Sequence, residues 1–60
     1  MNAALRQERK RQNKTQQQIA DLAGISLKSY QRIEKGVQDP AVSVAILIAK
    51  SLKSTVEKLF

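Results

Sequence analysis

The chain predicts an all-α fold, a compact domain of five short helices spanning residues 1–60, and three observations lead there. Period-two alternation of apolar residues is absent while Ala, Gln, Lys and Leu dominate, so a strand has no pattern to form on. Helix start and stop signals recur: Thr15, Ser26 and Asp39 with Pro40 as starts, Gly24 and Gly36 as stops. The segment AVSVAILIAKSL is apolar around most of its circumference, which suits a central helix against which the others pack.

The elements follow in order. Residues 3–12 form the first helix, which contributes Leu5 to the core. Thr15 caps the second, at 16–23, with Gln18 completing a capping box, and Gly24 supplies the left-handed residue that ends it. Ser26 caps the third, at 27–35, and Gly36 closes it. Ile25, just before that cap, stands where a hydrophobic staple meets Tyr30. Asp39 as N-cap and Pro40 as first helical residue start the fourth, at 41–52. The fifth, at 56–60, is capped by Ser54 with Glu57 or by Thr55, and the pattern allows both. The expected core partners of the fourth helix are Leu5, Ile19, Leu22, Ile33, Leu59 and Phe60.

Bulk properties narrow the function. With 60 residues and no cysteine, one small core has to hold the domain without disulfides or thiolate-bound metal. No histidine, no cysteine and no acidic constellation are present, so catalysis is not expected, nor a metal or other cofactor. No apolar run reaches the roughly 20 residues that span a bilayer, and the N-terminus lacks the apolar stretch of a secretory signal, so a soluble, cytoplasmic protein is expected. Pro40 and the two glycines argue against a continuous amphipathic membrane helix. No small-molecule effector is expected from so small a bundle. The net charge of +6 favours a polyanionic partner. Its cations crowd at Arg6, Arg9, Lys10, Arg11 and Lys14, and again at Lys28, Arg32 and Lys35.

Two short helices joined by a glycine turn, the second with a cationic outer face, form the pattern of a DNA-binding helix-turn-helix. At 100° per residue, Tyr30 and Ile33 share one side of the third helix, while Leu27, Lys28, Gln31, Arg32 and Lys35 fan over the other. A major groove about 12 Å wide admits one such helix. Arg32 and Lys28 suit a guanine edge, Gln16 an adenine edge and Leu27 a thymine methyl, and Ser26 and Gln31 complete the base-facing set. Arg11, Lys14, Thr15 and Lys35 are the phosphate-gripping candidates. Glu34 lies beside Tyr30 on the flank of the third helix, where a charge needs a partner, and Arg9 is the predicted one, tying the first helix to the third.

At these positions the chain resembles the phage repressor and Cro-like, or xenobiotic-response-element, helix-turn-helix family. The matching residues are Leu5, Arg6 and Arg9; Thr15 and Gln16; Ile19 and Ala20; Gly24, Ile25 and Ser26; Tyr30, Ile33, Glu34 and Gly36; Pro40; Ile48, Ala49, Lys50 and Leu52; and Leu59 and Phe60. The resemblance implies a five-helix lambda-repressor-like domain, the third helix in the major groove, Gln16 and that helix on bases, and the start of the second helix on phosphate. It implies the Arg9 and Glu34 pair as well. Lys14 and Ser54 depart from usually apolar positions and Lys53 from a frequent glycine, so looser junctions are expected there. Val44 and Leu47 replace more polar residues and fall near Ser51. They either fill the core differently or form an exposed stripe that a second subunit covers. The expected function is a transcriptional regulator, most simply a repressor, binding double-stranded DNA as a homodimer on an operator with two half-sites. A protein-interaction module of the same fold, such as an antitoxin or anti-regulator, is the alternative.

Overall fold

The structure, a computed structural model, describes residues 2–60. Its helices are α1 (Ala3–Arg11), α2 (Gln16–Ala23), α3 (Leu27–Lys35), α4 (Val42–Ser51) and α5 (Val56–Leu59), with no strand among the described residues. None is long and apolar enough to cross a membrane.

Local signals set most boundaries. Thr15 and Gln18 form both hydrogen bonds of a capping box, at 3.0 and 2.8 Å. Gly24 and Gly36 end α2 and α3 with φ of 70° and 80°, the left-handed region that a side chain resists. Ser26 caps α3 by accepting the Ser29 N–H at 3.1 Å. At α5 the open choice falls to Thr55, whose hydroxyl accepts from the Lys58 N–H at 3.3 Å.

The start of α4 differs from the sequence expectation. Asp39 does not cap it and Pro40 is not its first residue; Ala41, extended at ψ 154°, is the N-cap, with no side-chain cap bond. The ring of proline fixes φ at a value that serves extended chain as well as a first helical turn, so the Asp-Pro pair does not choose between them. Val42 and Ser43 are exposed, which leaves the first N–H groups of α4 to water.

The core joins Leu5, Ile19, Ala20, Ala23, Tyr30, Ile33, Ile48, Ala49, Leu52 and Leu59. Four alanines, Ala20, Ala23, Ala45 and Ala49, are buried on α2 and α4, which pack directly on each other. Small side chains there let two backbones approach closely. Two expected core residues lie outside it: Leu22 is 58% exposed and Phe60 44%. Ile19, Ala20 and Ala23 define the inner face of α2, and Leu22 sits about 100° from its centre. Nor is α4 buried all round, because Ile46 and Leu47 remain exposed opposite Ala45, Ile48 and Ala49.

Asn2 clasps the ends of three helices. Its Oδ1 caps α1 by accepting the Leu5 N–H at 3.1 Å, its backbone N–H donates to the Glu34 carbonyl at 3.0 Å, and its Nδ2 donates to the Leu59 carbonyl at 2.6 Å. Gln12 does similar work at the other end of α1, donating to the Leu52 carbonyl at 2.7 Å. Lys53, where a glycine was the expected residue type, adopts φ 52°.

Candidate nucleic-acid interface

The outer face of α3 carries the charge. Lys28, Arg32 and Lys35 are exposed there, Leu27 and Gln31 are half-buried, and Ser26 is exposed at the entrance. Tyr30 and Ile33 on the opposite side are buried, so the helix is anchored on one face and cationic on the other. That division follows from the helical period and requires no special backbone.

Behind the outer face sits a buried ion pair. Arg9 donates from Nε to Glu34 Oε2 and from Nη2 to Glu34 Oε1, both at 2.9 Å, and from Nη1 to the Lys14 carbonyl at 2.8 Å. The residues are 8% and 4% exposed. The guanidinium thus fastens α1 to α3 and to the chain just before α2. Burial alone would raise the Glu34 carboxyl, but the hydrogen bonds and charge of Arg9, with the nearby Tyr30 hydroxyl and Gln16 amide adding to them, outweigh it and leave the group below its ordinary value. Glu34 in turn holds Arg9 above its ordinary value. The Tyr30 hydroxyl is buried beside the pair without a well-formed hydrogen bond, and burial, with the Glu34 carboxylate next to it, raises its pKa.

Gln16 belongs to the same array. Its Nε2 donates to Glu34 Oε1 at 3.4 Å and its Oε1 accepts from Gln31 Nε2 at 3.2 Å. Gln16, Arg9, Glu34 and Lys35 line a shallow cleft with Arg6, a cation the sequence pattern did not single out from its neighbours.

The phosphate-gripping candidates do not all share that side. Thr15 is exposed at the start of α2, Lys14 is half-buried beside it, and Lys35 is exposed at the end of α3. Arg11 stands apart. It lines a different cleft with Lys53 and Lys58, and Glu8 holds its guanidinium through Nε at 3.0 Å and through Nη2. The Arg11 hydrogen bond, joined by one from Gln12, lowers the Glu8 carboxyl from 4.5 to about 2. The helical i,i+3 spacing explains this pairing, which sets Arg11 on a different side of the molecule from Thr15 and Lys35.

The surface suggested by Val44, Leu47 and Ser51 also divides. Val44 is half-buried and packs against the core, whereas Leu47 is 42% exposed. Ser51 donates its hydroxyl to the Ile48 carbonyl of its own helix at 2.7 Å. Val44 flanks the buried stripe of α4, and Leu47 lies opposite that stripe. Ile46, which the sequence pattern did not single out, is exposed at 41% next to Leu47.

Over 55 residues, 92% of its length, this chain is 42% identical to the cryptic phage CTXphi transcriptional repressor RstR of Vibrio cholerae serotype O1, and the match covers 49% of that protein. The chain therefore spans about half the length of this relative. No solved structure matches the chain significantly. The helix-turn-helix family model matches residues 5–59, from the first core leucine in α1 to the last in α5, and on this match the chain belongs to the helix-turn-helix family.

Proposed function

We propose that the chain is a sequence-specific double-stranded DNA-binding domain of a transcriptional repressor, and that it reads the major groove with α3. The observation that carries this is the exposed Lys28, Arg32 and Lys35 face on a helix whose other side is locked into the core. Similarity to a phage transcriptional repressor supports it. Arg32, Lys28 and Gln16 read base edges, and Leu27, Ser26 and Gln31 lie at the same surface. Lys14, Thr15, Lys35 and Arg6 grip phosphate. The Thr15 oxygen accepts from Gln18, and its O–H stays available to donate. Two copies occupy half-sites about 34 Å apart, and the exposed Ile46 and Leu47 supply apolar surface for their association.

The test is selection of bound duplexes from a random pool, followed by titration of variants. An enriched motif is expected, with log-log salt dependence of about 0.9 per phosphate contacted. Arg32→Ala relaxes preference at one base pair at a cost of about 1–3 kcal/mol, and Lys35→Ala weakens all sequences alike. Failure to enrich any motif overturns the reading. It would favour the interaction module of the same fold, for which Ile46 and Leu47 offer the surface.

A further inference from the structure

We infer that Gln31 is a positioning residue: together with Glu34 it clamps the Gln16 amide in one orientation, so that Gln16 presents one free donor beside one free acceptor. This rests on the DNA reading proposed above and specifies what makes Gln16 selective. Glu34 is a buried carboxylate whose two oxygens both receive Arg9, and a carboxylate accepts but does not donate. The amide group facing it at 3.4 Å must therefore be the NH2 of Gln16. Beside it Gln31, one turn before Glu34 on the same helix α3, donates from Nε2 to Gln16 Oε1 at 3.2 Å, which favours the same orientation.

A glutamine amide has two N–H groups and two oxygen lone pairs. Glu34 takes one N–H and Gln31 one lone pair, leaving one of each. That pair complements the N7 acceptor and N6 donor of adenine in the major groove. An unclamped glutamine would present its amide in either orientation and would have to be ordered on binding; here the ordering precedes DNA. Gln31 thus acts through Gln16, although its place on the outer face of α3 suggests a base contact of its own.

The experiment compares base preferences of the unaltered chain with Gln16→Ala, Gln31→Met, Gln31→Glu and the double variant Gln16→Ala with Gln31→Met, by random-pool selection and by titration of single-base-pair operator variants. Methionine keeps the length of glutamine and lacks the donor. Gln16→Ala should erase preference at one base pair. Gln31→Met should lower preference at that same base pair by roughly three- to ten-fold, part of the about five- to 150-fold that a good bidentate contact gives, and should add nothing in the double variant. Gln31→Glu should remove the adenine preference there, because carboxylates on both sides capture both N–H groups. Preferences at all other base pairs stay as they were, which a general loosening of the fold would not produce. A shift at a different base pair in Gln31→Met, or unaltered preference throughout, overturns the inference while leaving the DNA reading intact. Absence of any preference in the unaltered chain overturns both.

Discussion

Replacing Arg9 with Met removes three hydrogen bonds at once, two to Glu34 at 2.9 Å and one to the Lys14 carbonyl at 2.8 Å. Glu34, only 4% exposed, is then a buried anion left with a long 3.4 Å contact from the Gln16 amide. Breaking such a pair from one side costs about 3–5 kcal/mol. A domain of 60 residues has about 3–9 kcal/mol of total stability, so Arg9→Met and Glu34→Leu should each bring it close to unfolding at 25 °C. The double variant removes both charges and should cost clearly less than the two losses added together, with a coupling energy of at least about 2 kcal/mol. Urea denaturation followed by far-ultraviolet circular dichroism measures this, with sulfate present to preserve folded baselines for the single variants. A loss below about 1 kcal/mol in either single variant would place the pair among exposed ones, and zero coupling would refute its action as a unit.

Acid should unfold the domain through the same carboxylates. Glu34 lies below its ordinary value when folded, and Glu8 falls from 4.5 to about 2, so below about pH 4.5 the unfolded chain binds more protons than the folded one. The contribution is complete above that value and is lost as pH falls toward the folded pKa values; a urea midpoint constant between pH 5 and 2.5 would contradict it. Lys53→Gly should stabilise by about 0.5–1 kcal/mol, because φ 52° strains a lysine and not a glycine, and the gain is partly offset by the freer unfolded chain. An unchanged or lowered melting midpoint would show that the turn bears no such strain.

What was legible in the sequence was local. The capping box at Thr15, the cap at Ser26 and the left-handed glycines each rest on residues within one turn of one another, and these mark α2 and α3 without reference to the rest of the molecule. The Arg9 and Glu34 pair was legible for a different reason: a charge on the flank of an anchored helix needs an opposite charge. Distant partners left no local trace. The clasp of Asn2 depends on carbonyls at Glu34 and Leu59, and the Gln16 to Gln31 contact on the angle between two helices. Apolar character alone also misplaced Leu22 and Phe60, since it says that a side chain prefers burial and not which face of its helix is covered. The pull of Glu8 on Arg11 was available from i,i+3 spacing but competes with every other use of a surface arginine.

The hydrogen bond from Asn2 to the Leu59 carbonyl brings positions 57 residues apart in the chain to within 2.6 Å. The backbone is therefore nearly a closed circuit, and anything fused before Asn2 or after Phe60 departs from one corner of the molecule. Joining those two points with a short flexible bridge and cutting the exposed stretch Val37–Asp39 would move the ends of this domain to the connection between α3 and α4 without severing a helix.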